Sequence, residues 1–240
     1  MSQIHFVLQG KGGVGKTFVS SVFAQHRAKD GKKPICLDTD PVNASFAGFK
    51  NLGVRPINIM NKMSIDPRLF DELMELLLET DDNIIVDTGA STFLPLASYL
   101  EDSDAISVLH DAGKSVMLHV VVTGGQSKND TLTGLAGIAE RLGHQAPIII
   151  WINEFFGPFD ADGISIEKTG VYAANKEKIF SIVTIPERPP ATFGKDISDM
   201  LSHKLTFDEA IVSKDFNTMA KQRIKITRDL LFKQLDELPI

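Results

Sequence analysis

The sequence has little of several residue types that define common protein classes. Its 240 residues hold a single cysteine, Cys36, one tryptophan and two tyrosines. One cysteine cannot form an internal disulfide, and it leaves no CxxC pattern for a redox or zinc site. The apolar stretches, such as residues 116–122, are far shorter than the roughly 18 residues that a membrane-spanning helix needs. The first residues also lack the order of a signal peptide, so we expect a cytoplasmic protein without a transmembrane helix.

Charge and hydropathy exclude further classes. The chain carries 25 lysine and arginine residues against 31 aspartate and glutamate residues, a formal net charge of −6. It therefore lacks the positive field that drives non-specific DNA binding by counterion release, and such binding is a disfavoured alternative. With 43% hydrophobic and 23% charged residues, the composition is that of a globular protein. We expect residues 1–240 to form a single domain.

Short apolar segments alternate with segments of helical periodicity along the chain. The short apolar segments predict strands at residues 4–8, 34–38, 83–87, 115–122, 147–153 and 179–185, with a minor strand at 57–60. The helical periodicity predicts helices at residues 16–30, 93–100, 104–112 and 131–142. This alternation predicts a three-layer α/β fold, with a mostly parallel central sheet and helices on both faces.

Two further helical segments have one apolar face. The first is expected to be capped by Asp66 and to begin at Pro67, with four leucines facing inward: Leu69, Leu73, Leu76 and Leu77. The second, residues 216–238, also carries lysine and arginine, which is typical of a helix lying on a membrane surface. Because acidic residues dilute that positive face, we favour a helix docked on the sheet and disfavour membrane binding.

Residues 154–175 contain three glycines and one proline but few periodic apolar positions. We expect this segment to be mobile or to face a partner. It holds three phenylalanines, Phe155, Phe156 and Phe159, around a Gly-Pro pair. If these side chains are exposed they form a partner site, and if they are buried they form a small satellite core.

Residues 10–17 have the sequence GKGGVGKT, which matches the pattern GxxxxGK followed by Ser or Thr at every specified position. Glycines leave room for backbone N–H groups to converge on phosphate oxygens at the start of a helix. We expect Lys16 to bridge the β- and γ-phosphates and Thr17 to offer its hydroxyl to Mg²⁺. The expected nucleotide-binding residues are Gly12, Gly13, Val14, Gly15, Lys16, Thr17 and Phe18.

Three carboxylates follow the predicted strands. Asp38 and Asp40 stand at the end of the second strand, and Asp87 ends the third. The carboxyl ends of parallel strands meet at one edge of the sheet, where ligands bind, so we expect these side chains to converge on the glycine-rich loop. A cation and phosphate groups arranged there would suit phosphoryl transfer.

An additional lysine, Lys11, directly follows the first glycine of the loop. With this lysine, residues 11–17 resemble the deviant Walker A motif of the MinD/ParA group of P-loop ATPases. The resemblance implies an ATP-dependent homodimer, in which Lys11 reaches the phosphates of the neighbouring subunit. A cation that arrives across an interface can stabilise the charge of the transferring phosphoryl group.

The same resemblance implies roles for the residues at the strand ends. Asp40 would orient the attacking water, which makes it catalytic together with Lys11 and Lys16. Asp38 and Asp87 would hold Mg²⁺ with Thr17, Asp87 being the Walker B aspartate. Two residues would flank the adenine base: Asn153, after a buried strand, and Pro186, after the last strand. An amide can donate and accept hydrogen bonds at once, which suits the adenine edge.

Residues 7–11, 38–44, 121–126 and 199–201 also resemble one branch of the family, encoded with the conjugal DNA-transfer genes of plasmids. This resemblance implies a cytoplasmic ATP/ADP switch, with weak ATPase activity, that acts on a protein of the transfer apparatus. Val42 and Asn43 replace the glutamine that partition proteins carry at this place, which weakens a partition role. Two alternatives stay open: a small-molecule kinase or ATP-dependent synthetase, and a scaffold that binds nucleotide without hydrolysis.

Overall fold

The computed structural model describes residues 2–29 and 31–240. Its strands are β1 (Gln3–Leu8), β2 (Ile35–Asp38), β3 (Arg55–Pro56), β4 (Met60–Asn61), β5 (Ser64–Ile65), β6 (Ile84–Asp87), β7 (Ser115–Thr123), β8 (Ile148–Asn153) and β9 (Ile179–Ile185). Its α-helices are α1 (Lys16–Arg27), α2 (Leu69–Glu79), α3 (Phe93–Asp102), α4 (Ala105–Asp111), α5 (Lys128–Arg141), α6 (Gly170–Asn175), α7 (Lys195–Ser202), α8 (Phe207–Val212) and α9 (Thr218–Asp236).

Within the described part of the chain, seven strands form one sheet in the order β3-β2-β6-β1-β7-β8-β9. Every neighbouring pair in it is parallel. From the central strand β1 the chain first builds β2 and β6 on one side and then crosses to β7 on the other. The carboxyl end of β1 is therefore the topological switch point, where open parallel sheets bind their ligands. The predicted three-layer fold is confirmed.

Both faces of the sheet are covered by helices. Successive strand residues point to opposite faces, so that Phe6 packs with helices α2–α5 while Val7 packs with α1, α7, α8 and α9. All the main strands except β9 are buried along almost their whole length. Burial on both sides explains why these strands are continuous apolar runs rather than alternating patterns.

A polar cluster lies inside the core beneath α1. The indole N–H of Trp151 donates to Nδ1 of His119 at 2.9 Å, and Nε2 of His119 lies 2.9 Å from Nδ1 of His5. The indole can only donate, so His119 carries its hydrogen on Nε2 and donates it to His5. Burial lowers the pKa of His5 well below its ordinary value and that of His119 to about 3. Both rings are therefore neutral in the folded protein.

Several sequence-based boundaries are wrong, among them the start of α5, which lies at Lys128 rather than at residue 131. The expected strand at 57–60 is absent as such, and the described chain there forms β3 and the two-stranded β4–β5 ribbon. Helix α2 begins at Leu69, because the Asp66 carboxylate accepts the N–H of Arg68 in a preceding turn. Its buried residues are Phe70, Leu73, Met74 and Leu77. Helix α1 ends at Arg27 rather than near Asp30, and Asp30 itself lies outside the described residues.

The carboxy-terminal helix docks on the body, as expected. The six apolar positions predicted for its inward face are all buried in the core beside α1: Phe216, Ala220, Ile224, Leu231, Leu235 and Leu238. No helix among the described residues is both long and apolar enough to cross a membrane. The helix therefore acts as a cover for the sheet face on which α1 lies.

The segment 154–175 has more structure than the sequence indicated. Short 3-10 turns occupy Glu154–Phe156 and Ile166–Lys168, and helix α6 follows. Phe159 is buried, whereas the side chains of Phe155 and Phe156 are each 48% exposed. Phe159 thus fits the alternative of a buried core, whereas Phe155 and Phe156 fit the alternative of an exposed surface.

Candidate functional site

The glycine-rich loop leaves β1 and turns directly into α1. Gly13 and Gly15 have φ angles of 74° and 101°, which favour glycine because a Cβ atom would be strained there. The ammonium of Lys16 donates to the carbonyl of Lys11 at 3.1 Å and thereby spans the loop. Burial lowers the pKa of Lys16, while the negative charges of Asp87 and Asp40 act in the opposite direction. The loop is therefore concave, and the Lys16 ammonium lies across it.

Asn153 ties this loop to the end of β8. Its Nδ2 donates to the carbonyl of Val14 at 2.9 Å, and its Oδ1 accepts the N–H of Phe155 at 3.1 Å. A Cβ atom on Gly15 would lie only 2.6 Å from that Nδ2. The side chain of Val14 is buried, so only its backbone is available at the loop. Asn153 is therefore first a support of the loop.

Asp87 ends β6 beneath the start of α1. Its Oδ2 accepts the hydroxyl of Thr17 at 2.7 Å, and its Oδ1 accepts the hydroxyl of Ser20 at the same distance. Burial raises the pKa of Asp87 to about 7, although the hydrogen bonds from Ser20 and Thr17 act the other way. Both carboxylate oxygens are thus oriented by α1, one helical turn apart.

Asp38 and Asp40 organise the chain after β2. Asp38 accepts the N–H groups of Asp40 at 3.0 Å and Ala47 at 2.9 Å, and burial raises its pKa. Oδ1 of Asp40 accepts two further N–H groups, from Val42 and Asn43, each at 3.0 Å. A Cβ atom on Gly89 would lie 2.7 Å from the Asp40 carboxyl carbon, so Gly89 lets the two loops meet.

Two cavities adjoin at the loop. A polar cavity of about 430 Å³ has lysines, hydroxyls and a carboxylate in its wall, among them Lys16, Thr17, Asp40 and Lys204. A more apolar one of about 200 Å³ is lined by Asn153, Phe155, Pro186 and Phe193 among others. Gly13, Gly15, Phe18 and Leu201 line both. A polar compartment joined to an apolar one suits a ligand with a charged end and a flat ring.

Lys11 lies outside both cavities. It borders a groove between the loop, the start of α3 and the start of α5, and its ammonium lies 2.7 Å from the Asp130 carboxylate. Gln9 connects the same elements, donating to the carbonyls of Val121 and Thr131 at 2.7 and 3.0 Å. The structure thus places Lys11 on the outer side of the loop, apart from Lys16.

The predicted carboxylates do converge at this edge, but not equally. Asp40 lines the polar cavity, whereas Asp38 and Asp87 lie below it, 1% and 2% exposed. Sequence reasoning missed Ser20, although it follows Thr17 by three residues on one helix face. It also missed Lys204 and Asp130, whose contacts span too much of the sequence for any local signal.

The donor set suits magnesium. The hydroxyl of Thr17 and the carboxylate of Asp87 lie side by side, and both are the hard oxygen ligands that Mg²⁺ prefers. The described residues contain no group of three or more His, Cys, Asp or Glu placed to hold a metal. A magnesium ion held here would therefore complete its shell with water and phosphate oxygens, as Mg²⁺ commonly does.

This parallel sheet, with a lysine-bearing glycine loop at its switch point and carboxylates beside it, defines a P-loop nucleotide-binding protein. Residues 5–191 match the family described as the CobQ/CobB/MinD/ParA nucleotide binding domain, and the chain belongs to that family. The chain is 44% identical over 236 residues to Protein TraL of Escherichia coli, covering 98% of each sequence. The predicted family is confirmed.

Solved structures support the same fold. The MinC:MinD cell division protein complex of Aquifex aeolicus contains a chain that matches with a TM-score of 0.55 at 18% identity, covering 100% of this chain and 98% of that one. The septum site-determining protein MinD complexed with Mg-ADP from Pyrococcus horikoshii matches with a TM-score of 0.54 at 18% identity, covering 99% and 97%. At this identity the likeness concerns the fold.

Proposed function

We propose that the protein is an ATPase that binds ATP with Mg²⁺, pairs as a homodimer in the ATP-bound state and hydrolyses ATP slowly. The observation that carries the proposal is the shared cavity wall formed by Lys16, Thr17 and Asp40, with Asp87 hydrogen-bonded to Thr17 beneath it. A loop for phosphates, a site for a hard cation and a free carboxylate are what phosphoryl transfer to water requires.

In this proposal the phosphates bind the loop N–H groups, and the ammonium of Lys16 turns from the Lys11 carbonyl to the β- and γ-phosphates. Thr17 and Asp87 would hold Mg²⁺, with Asp38 acting through water, and the ion would supply positive charge against the developing negative charge. Oδ2 of Asp40 accepts no hydrogen bond from the described residues, so it is available to orient water. Water adds to the γ-phosphorus, the bond to the β–γ bridging oxygen breaks, and ADP and phosphate leave.

The dimer part of the proposal is supported by the place of Lys11. Its side chain is 44% exposed on the outer side of the loop. From there it points away from the polar cavity of its own subunit. This position would let it reach the phosphates bound by a second copy of the chain. A cation supplied across an interface makes hydrolysis depend on pairing, as arginine fingers do.

The biological setting is proposed from the relatives. The full-length likeness to Protein TraL supports a role in conjugative DNA transfer, with a protein of the transfer apparatus as partner of the ATP-bound dimer. Non-specific DNA binding is disfavoured by the net charge of −6. Membrane binding is disfavoured because the apolar face of α9 is buried. We place this activity in the cytoplasm.

Light scattering coupled to size exclusion tests the central step. The wild type should change from monomer to dimer with Mg-ATP and stay monomeric with Mg-ADP. Asp40→Ala should form the dimer but not release phosphate, and Lys11→Ala should bind ATP as a monomer. Lys16→Ala should bind no nucleotide.

A mass that is independent of nucleotide, in a wild type that binds ATP, would contradict the dimer. An Asp40→Ala variant with wild-type turnover would contradict the role of that carboxylate. A metabolite that becomes phosphorylated in step with ATP use would replace the proposal with a kinase.

A further inference from the structure

Helix α7 ends in a conformation that usually carries glycine. His203 caps the helix, and the next residue, Lys204, has a φ angle of 55°. The N–H groups of Lys204 and Leu205 each donate at 3.1 Å, to the carbonyls of Leu201 and Met200. This is a Schellman motif, whose left-handed residue is most often glycine because a Cβ atom is disfavoured there. Strained backbone conformations of this kind cluster at functional sites, so a functional role for the Lys204 side chain is worth testing.

The side chain of Lys204 crosses the segment that follows β2. A Cβ atom on Gly48 would lie 2.9 Å from Cγ of Lys204 and 3.2 Å from its Cε, so the aliphatic stem packs along the Gly48 backbone. The ammonium lies 5.8 Å from the centroid of the Phe49 ring, within reach of a cation–π contact. These contacts fix the aliphatic part of the Lys204 side chain and thereby the position of its ammonium group.

That charge has no anionic partner among the residues that the structure describes. Within residues 2–29 and 31–240, the Lys204 ammonium takes part in no hydrogen bond or ion pair. Lys195, at the start of the helix that Lys204 follows, contrasts with it, because its ammonium lies 2.6 Å from the Asp199 carboxylate. Lys204 instead lines the polar cavity, whose wall also contains Lys16 and Thr17.

We propose that Lys204 is a third nucleotide-binding lysine, whose ammonium contacts a phosphate oxygen of the nucleotide from the turn that ends helix α7 rather than from the loop. The inference rests on the proposed function, because it requires a nucleotide in this cavity. Leu201, three residues before Lys204, lines both cavities. The end of α7 would therefore contact the ligand at both its ring and its phosphates. A phosphate contact would also fix Gly48 and Phe49 through the lysine stem.

Calorimetric titration of three substitutions at Lys204 tests this. Lys204→Met keeps the stem without the charge, Lys204→Gly removes both and relaxes the backbone, and Lys204→Arg keeps a cation. The first two should bind Mg-ATP and Mg-ADP about tenfold more weakly than the wild type, the size of one charge-assisted contact. Lys204→Arg should stay within about threefold, and adenosine should bind all forms alike. Lys195→Met, which removes a charge from helix α7, should match the wild type.

The outcomes separate this inference from the function it rests on. Wild-type affinity in Lys204→Met would show that the stem only packs, and it would overturn the inference alone. An equal loss of adenosine affinity would also overturn it, because the base cavity would then be disturbed. A wild type that binds neither Mg-ATP nor Mg-ADP would overturn the proposed function together with the inference. Selective loss for the phosphorylated ligands, restored by Lys204→Arg, would support it.

Discussion

The ammonium of Lys11 is bound to the carboxylate of Asp130, 2.7 Å away in space and 119 positions away in the sequence. Both side chains are about half exposed, so the pair lies at the surface. It fastens the outer side of the phosphate loop to the first turn of α5. Since Lys11 is proposed to serve a second copy of the chain, this ion pair has to open whenever the dimer forms.

Removing the charge of Asp130 should therefore favour the dimer. We expect Asp130→Asn to lower the dimer dissociation constant in Mg-ATP by about two- to fivefold, because an exposed ion pair contributes little free energy. Sedimentation equilibrium over a range of protein concentrations measures this constant. Asp199→Asn, which breaks the exposed pair with Lys195, is the matched control and should leave it unchanged. A weaker dimer in Asp130→Asn would mean that Asp130 itself contacts the second copy.

Ser20 should set the strength of magnesium binding. Ser20→Ala leaves Oδ1 of Asp87 without its hydroxyl donor, and loss of such a supporting hydrogen bond commonly weakens a metal site 10- to 100-fold. We expect the magnesium concentration for half-maximal ATP hydrolysis to rise by about tenfold, with little change in the magnesium-saturated rate. Ser21→Ala changes the neighbouring buried hydroxyl, which accepts a hydrogen bond from Gln25 rather than donating to Asp87, and should titrate like the wild type. Identical magnesium titrations of the two variants would refute the role of Ser20.

Gly15 should tolerate no side chain. In Gly15→Ala the methyl group would be strained at a φ angle of 101° and would displace the Asn153 amide from the Val14 carbonyl. We expect the affinity for Mg-ADP to fall by more than about tenfold, measured by calorimetry on protein whose circular dichroism is that of the wild type. Gly170→Ala places a methyl group in open space at the start of α6 and should bind normally. Normal binding by Gly15→Ala would show that the loop rearranges freely.

The buried histidines should make stability depend on pH. The pKa of His119 is lowered to about 3 and that of His5 is also lowered, chiefly by burial, with the positive charge of Arg27 acting in the same direction. An unfolded histidine binds a proton below about pH 6.5, whereas these two do not in the folded state. The free energy of unfolding should therefore fall as the pH decreases from about 6.5 toward 3.

Urea unfolding of the wild type and His119→Gln at several pH values measures this effect. A glutamine amide can still accept from Trp151 and donate to His5, but it does not titrate. The slope of unfolding free energy against pH should be shallower in the variant by up to about 1.4 kcal/mol per pH unit, equivalent to one proton. His144→Gln, at an exposed position, should keep the wild-type slope. Equal slopes for His119→Gln and the wild type would mean that the buried ring gains its proton while folded.

Local patterns accounted for the sheet and the phosphate loop. The strand at residues 179–185 has the bounds that the apolar run predicts, because Lys178 precedes the run and Pro186 follows it. The conformation of the phosphate loop could also be predicted from the sequence, since the shape of residues 10–17 depends on their own glycines. The start of α2 could not be predicted in this way, because an Asp-Pro pair occurs both in turns and at helix caps. In the structure the Asp66 carboxylate accepts the N–H of Arg68 in a turn that precedes the helix.

Contacts between distant segments were beyond the sequence. Lys11 and Asp130, or Gly48 and Lys204, meet only after the sheet has been assembled, and no spacing in the sequence pairs them. Asn153 was expected at a base because the family resemblance implies an asparagine at the end of this strand. The structure shows that its amide also holds the loop at Val14, a use that no pattern of spacing encodes.

The family match ends at residue 191, yet much of the ligand wall comes later in the chain. Phe193, Leu201, Lys204 and Leu230 all follow that point, and each borders one or both cavities. The site therefore combines a phosphate loop inside the matched residues with cavity walls supplied by segments that follow them. Substitutions in these later segments can therefore reshape the cavities without changing any residue of the phosphate loop.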